Sequence, residues 1–447
     1  MAPPGRKITA IPKEKTNPSP GFLPASLQKL YAVLVGQGAR QGYLAAFDQA
    51  QISLANFLAT LLLARNASPT ELGIYGVGFT ALRLVRAIQE GVTIQPLNTY
   101  GAGMDQETFN SYATSTSLIQ IALALGCAAA AAAGGWLLIQ LGNDVSGLAL
   151  FSLWSGFLWW QLQEYLRRML YTRGLVREAL LNSFLSNVIR LALMLWLVQS
   201  GSLDGSASLH AIAVGSAGAL VLGLWQTRRF WTTRIENLLG TWKRNWDFGR
   251  WITGGLVANW VAVEFYPVLT AGMISFAAAG AYRALQNVVA PVHMLLRAVD
   301  TFLTPRAARA FQERSYPAMQ HMIRITFILC SVPVLGLLAV AVLFPSQLLY
   351  FLYGDTYLAY SQGMALMALF YALLFIYWPP QTAFKAIRFS RPIFIANQAA
   401  ILAMFTAGIW MIRQWGLYGT IGGQVLNSLI ICVILWAAWH KKRREYH

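Results

Sequence analysis

Apolar residues recur along this chain in runs of about 20, separated by short stretches that hold Gly, Pro and most of the charges. A run of that length crosses a hydrocarbon core as one helix. Taking the interruptions as boundaries predicts spans near residues 41–64, 72–99, 115–140, 146–165, 178–199 and 208–225. A second set of six follows near 251–271, 276–302, 322–344, 357–384, 392–412 and 417–439. Membrane strands would alternate apolar and polar positions, and an open sheet edge finds no hydrogen-bond partner in lipid. The expected fold class is therefore all-α and polytopic, with about twelve transmembrane helices in two six-helix lobes.

Charge sets the orientation. Of 34 Lys and Arg residues, 26 fall on one side of the predicted bundle. They comprise Arg6, Lys7, Lys13, Lys15, Lys29 and Arg40, the group Arg167, Arg168, Arg173 and Arg177, six cations from Arg228 to Arg250, then Arg306, Arg309 and Arg314, Lys385, Arg388 and Arg391, and Lys441 to Arg444. The opposite side has Arg65 and Arg413. Cytoplasmic loops are the basic ones, so both termini are expected in the cytoplasm. The loop 100–114 departs from the rule, with Asp105 and Glu107 and no cation.

Composition agrees: 56% of residues are hydrophobic, 11% are charged, and mean hydropathy is +0.49. Net charge +17 follows from loops that face anionic lipid headgroups, so nucleic-acid binding is not expected. The first 40 residues read as a largely disordered cytoplasmic tail, rich in Pro, Lys and Ser and without the apolar run of a signal peptide. The remaining divisions are a first lobe at 41–225, a basic connector at 226–250, a second lobe at 251–440 and a basic tail at 441–447. Trp231, Trp242, Trp246 and Trp251 suit the connector to the headgroup level. Cys127, Cys330 and Cys432 sit alone in separate spans, which supports packing and neither a disulfide nor a metal site. No P-loop occurs and no cofactor is expected.

A faint repeat accompanies the division. Gly73-Ile-Tyr75 opens the second span and Pro96 closes it; Gly280-Ala-Tyr282 opens the eighth and Pro305 closes it, with Gly-to-Pro separations of 23 and 25 residues. Paired repeats are a common transporter plan.

Chemistry then rests on polar residues inside the spans, because an Arg at the bilayer centre costs roughly 2.5–3.5 kcal/mol and faces a cavity or a partner. Arg83, Arg86 and Glu90 share one face of span two. They either line a cavity with net positive charge or contain an Arg86–Glu90 ion pair at i+4. Span eight carries Arg283, Gln286, Asn287, His293, Arg297 and Asp300, interrupted by Pro291, which should kink it. There, too, Arg297 and Asp300 are either cavity groups or a snorkelling pair. Span one shows Asp48, Gln49, Ser53, Asn56 and Thr60, span five shows Arg190, and span seven shows Glu264. Asp48, Glu90 and Glu264 are candidate carboxylates for proton or sodium coupling, and Glu264 is alternatively the counter-charge of Arg190 or Arg283. With Arg324 the intramembrane arginines number six, an excess over carboxylates that favours an anionic, phosphate-bearing substrate.

Two segments resemble a known family. Gln49 to Leu58 with Ala64 to Tyr75, and Gly280-Ala-Tyr-Arg-Ala-Leu-Gln286 with Pro291 and Pro305-Arg-Ala-Ala308, resemble polysaccharide-transporter and O-antigen flippases. That family belongs to the multidrug/oligosaccharidyl-lipid/polysaccharide flippase superfamily, which also holds multidrug and toxin extrusion (MATE) proteins and lipid II flippases. The resemblance implies a V-shaped, MATE-like pair of lobes. It implies alternating access that moves a polyprenyl-diphosphate-linked oligosaccharide across the bacterial inner membrane, with the lipid tail threading between spans one and eight. Arg83, Arg86, Arg283 and Arg297 would meet the diphosphate or an acidic glycan, and Asn56, Gln286 and Asn287 would face sugars. Twelve spans lack the extra pair of lipid II flippases, which favours O-antigen, capsule or exopolysaccharide export. Implied partners are the lipid-linked oligosaccharide, membrane lipids and polymerase or export machinery. An ion-coupled multidrug antiporter of the same fold and a membrane glycan polymerase or ligase are the alternatives. Short outer loops, the longest near 345–357, oppose the enzyme.

Overall fold

The structure, a computed structural model, describes residues 37–313 and 316–444. The cations Arg6, Lys7, Lys13, Lys15, Lys29 and Arg314 and almost all of the expected tail lie outside the described residues.

All regular structure among the described residues is helical. The first half comprises α1 (Gln37–Asn66), α2 (Pro69–Gln89) continued through a π turn (Glu90–Ile94) into α3 (Gln95–Gly101), α4 (Gln106–Gln140), α5 (Asp144–Phe151) with α6 (Leu153–Thr172), α7 (Val176–Gln199) and α8 (Gly205–Thr227). The second comprises α9 (Leu238–Glu264) with α10 (Tyr266–Met273), α11 (Phe276–Val288) with α12 (Ala290–Glu313), α13 (Tyr316–Leu343), a short α14 (Pro345–Tyr353), α15 (Gly363–Ala386), α16 (Arg391–Ala403) and α17 (Ile409–Arg444). A break at Gly416, whose φ of 55° suits glycine, divides α17 and completes twelve passes. The chain enters and leaves the bundle at one end, called the near end below.

Six of these helices are long and apolar enough to cross a membrane by composition alone, and a seventh qualifies if α9 and α10, bent by 53°, count as one. The shortfall falls on α1, α2, α6 and α12, which carry the arginines and amides expected of cavity walls, and on the last two passes, which count together as one apolar stretch from Arg391 to Arg444.

Local chemistry sets the boundaries. Ser68 and Ser275 cap α2 and α11, each accepting from a backbone amide three residues on. Asp105 caps α4 through the Glu107 and Thr108 amides, both at 3.0 Å, and the Thr108 bond holds its carboxyl below the usual range. Pro291 sits where α11 gives way to α12, the expected kink, and Pro267 opens α10 beyond the bend at Glu264. Glu107 pairs with Arg234 and Ser111 donates to the Arg234 carbonyl at 2.8 Å, so the stretch expected as an acidic loop is largely the start of α4 and docks on the basic connector. That connector is helical from Leu238, continuous with the seventh pass, and stacks Trp242 on Trp246 at 5.8 Å. Residues 354–360, expected partly as span, form a 3-10 turn, and the tenth pass starts at Gly363.

Within the first half α8 packs on α6 and α7, α6 on α4, and α7 on α1; within the second, α17 packs on α15 and α16, and α13 on α12 and α15. The halves meet chiefly where α2 crosses α11. A Cβ added to Gly73 would fall 1.8 Å from the Phe276 carbonyl oxygen, and one on Gly280 1.9 Å from that of Pro69. The two Gly-x-Tyr repeats thus pack against each other across the boundary between the halves. They do so far from the termini, while α9 follows α2 towards the near end, where Gly91 lies against Thr253 and Gly249.

Candidate functional site

Between the crossing and the near end, the halves enclose a cavity of about 630 Å³. Its lining includes residues of α1 no later than Phe57 and of α2 no earlier than Phe79, so the Gly73–Gly280 contact closes its far end. Seven arginines line it, Arg83, Arg86, Arg167, Arg168, Arg190, Arg283 and Arg297, against three carboxylates, Glu90, Glu164 and Glu264. Of the expected substrate-binding arginines, sugar-facing amides and coupling carboxylates, all but Asp48 are on this wall.

Near the open end, three guanidinium groups converge on Glu164. Arg167 donates to it through Nε and Nη2, both at 2.8 Å, Arg168 through Nε at 2.9 Å, and Arg86 Nη2 lies 2.9 Å away. Arg167 Nη1 also donates to Asp48 at 2.6 Å, and Tyr171 and Ser183 donate to the same carboxylate. Asp48 is 2% exposed and belongs to this network rather than to the cavity surface. The Arg86–Glu90 pair allowed by i+4 spacing does not form: Glu90 sits in the π turn and accepts from Gln95 at 2.8 Å.

Midway along α2, Arg83 and Glu264 form a two-pronged ion pair across the halves, at 2.6 and 2.7 Å. Glu264 therefore neutralises neither Arg190 nor Arg283, the partners weighed from sequence. Arg190 instead donates to the Asn56 amide oxygen at 2.8 Å and to the Tyr75 hydroxyl. Arg283 donates to the Gln286 amide oxygen at 2.7 Å and lies 5.5 Å over the Phe79 ring. Asn287 donates to the Tyr353 hydroxyl at 3.1 Å. The three amides expected to face sugars thus each have a protein partner, and two of them orient arginines.

The Arg297–Asp300 pair is replaced as well. Asp300 binds Lys385 at 3.0 Å, Thr304 at 3.0 Å and Thr382 at 3.1 Å, while Arg297 faces the cavity beside His293. Arg324 is exposed on α13 and is not part of the lining. Arg167 and Arg168, counted above as loop cations, lie inside α6 because that helix runs to Thr172, beyond the expected end at 165. Trp160, Glu164 and Arg167 or Arg168 at i, i+4 and i+7 or i+8 form the same stripe that marked span two, and the stripe was the available signal. Trp160 lies 5.9 Å beneath Arg86.

No protein-family model matches the chain, and no curated protein matches it in sequence. Solved structures do match. An inward-facing multidrug resistance MATE family transporter of the MOP superfamily superposes with a TM-score of 0.68 at 15% identity, over 89% of this chain and 98% of the other. An outward-facing conformation of such a transporter gives 0.63 at 14%, over 91% and 95%. A MOP superfamily transporter from Pyrococcus furiosus, described as having a binding pocket of reverse polarity that suggests a different function, gives 0.63 at 14%, over 91% and 95%. The chain is a multi-pass membrane protein with the MATE transporter fold, solved elsewhere in both inward- and outward-facing forms.

Proposed function

We propose that this protein is a flippase that carries a polyprenyl-diphosphate-linked oligosaccharide across the bacterial inner membrane, termini in the cytoplasm, for O-antigen, capsule or exopolysaccharide assembly. One observation carries the reading: a cavity between two helical halves with seven arginines against three glutamates. Arginine forks match phosphate and carboxylate oxygens, whereas a cationic drug would meet repulsion from the same wall. Half-buried Trp160 brings an aromatic ring to that wall, with the Arg86 guanidinium 5.9 Å over it. Arg83, Arg86, Arg190, Arg283 and Arg297 are the proposed substrate-binding cations. Glu264 is the proposed coupling carboxylate, because an incoming phosphate competes for its partner Arg83 and would release it from the ion pair that joins the halves.

The test is deletion in a host strain, with analysis of the lipid-linked glycan pool and surface polymer, and complementation by wild type and by an Arg83→Ala, Arg86→Ala double variant. Intermediate retained on the inner leaflet, relieved by wild type and not by the variant, is the expected result. An unchanged glycan profile together with altered drug efflux would transfer the protein to the antiporters.

A further inference from the structure

The arginines of the cavity are not equivalent. At the open end and midway, Arg83, Arg86, Arg167 and Arg168 each lie against a carboxylate. At the closed end, Arg190 and Arg283 have no ion-pair partner among the described residues, and the Nε of each is buried without a hydrogen bond. Arg190 is 5% exposed. Neutral amides hold one fork nitrogen of each, which orients the groups and leaves their charge uncompensated.

The two come from opposite halves, α7 and α11, and approach neighbouring rings of α2. Arg190 reaches the Tyr75 hydroxyl, Arg283 lies over Phe79, and those rings are 6.0 Å apart. Glycines make room for both stems: a Cβ on Gly215 would lie 3.2 Å from the Arg190 Cβ, and one on Gly76 3.4 Å from the Arg283 Cγ. A buried Arg190 and a half-buried Arg283, brought to neighbouring rings without an ion-pair partner, are costly, and an anion that arrives as ligand removes that cost.

From Tyr75 and Phe79 to Arg86, α2 rises roughly 10–16 Å at 1.5 Å per residue, farther than one diphosphate reaches. On the flippase reading, which this step presupposes, the prenyl chain stays in the bilayer and the diphosphate stays next to it at the mouth. The closed end then receives the sugars. We infer that Arg190 and Arg283 form a carboxylate site for an acidic sugar, such as a hexuronate, so that the glycan carries negative charge of its own beyond the diphosphate.

The test is equilibrium binding of two synthetic lipids to the full-length protein in nanodiscs: polyprenyl diphosphate bearing a disaccharide that ends in glucose, or the same with glucuronate. Wild type should prefer the glucuronate lipid by about tenfold or more, the ~1.4 kcal/mol expected of one charge-assisted pair. An Arg190→Gln, Arg283→Gln variant should lose the preference, its affinity for the glucuronate lipid falling by about tenfold more than its affinity for the glucose lipid. If that variant does not fold, Arg190→Lys with Arg283→Lys retains the charge without the fork and should show a reduced preference. Equal binding of the two lipids by wild type overturns the inference, as does equal loss of both lipids in a folded variant, which would assign these arginines to the diphosphate. Failure of wild type to bind either lipid removes the flippase reading itself.

Discussion

Glu164 is the residue on which the near-end network depends. With its side chain 4% exposed, it stands among Arg86, Arg167 and Arg168, and Asp48 is the other carboxylate in the network. Glu164→Gln keeps the shape and removes the charge, leaving three guanidiniums against Asp48. Breaking a buried pair costs about 3–5 kcal/mol, so the purified variant should unfold at a clearly lower temperature than wild type. An unchanged unfolding temperature would mean that water already screens the cluster. The Arg83–Glu264 pair differs, because its side chains are 28% and 19% exposed and it joins the halves rather than one half to itself. A double-mutant cycle of Arg83→Gln and Glu264→Gln, read by thermal stability, should give a coupling towards the lower part of the usual 0.5–3 kcal/mol for contacting residues, about 1 kcal/mol. Strict additivity would dissolve the pair. Both networks show the limit of the sequence at this scale: it placed Arg86 and Glu90 one turn apart, yet a pair at i+4 on a helix surface gains only a few tenths of a kcal/mol. Three converging cations from α2 and α6 outcompete that, and such convergence is invisible until the helices are packed.

Elements were more legible than partners. Each predicted span has its helix, since a bilayer-length apolar run admits no other structure, and Ser68-Pro69, Pro291 and Gly416 mark starts and breaks by backbone chemistry that any reader of the chain can see. The helix α6 was drawn too short because hydropathy reads a charged cavity wall, here Arg167 and Arg168, as a loop, and α9 was drawn too short because its first turns are the basic connector. The Gly-x-Tyr repeat was visible, whereas its packing against its own copy was not. That packing yields a prediction belonging to α2 and α11. Gly73→Ala or Gly280→Ala would put a methyl group within 2 Å of a carbonyl oxygen of the opposite helix, and backbone cannot yield as a side chain does. Each variant should lose more than the ~1–3 kcal/mol of ordinary overpacking. Gly272→Ala, with open space around it, should be near neutral and serves as the control.

For the whole molecule, the question is what holds the far end shut. Besides the glycine crossing, Arg65 at the end of α1 donates to the Leu352 and Phe351 carbonyl oxygens of α14, each at 2.5 Å, and so ties the first half to the second. Charged hydrogen bonds of this kind are worth about 1.5–3 kcal/mol each, less where water competes. On the proposed transport reading the molecule alternates between inward- and outward-facing forms and needs such a tie to be breakable, and an exposed arginine on carbonyl oxygens is more readily released than buried apolar packing. Arg65→Ala should shift the population towards the form open at the far end. The readout is a cysteine placed at Phe79, on the cavity side of the crossing, in a chain whose Cys127, Cys330 and Cys432 are replaced by Ala. An impermeant thiol reagent added from the far side should label it severalfold faster in the Arg65→Ala background, and labelling from the near side should slow in step. Faster labelling from both sides would mean a loosened bundle rather than a shifted one. No change from either side would leave the glycine crossing as the whole of the gate.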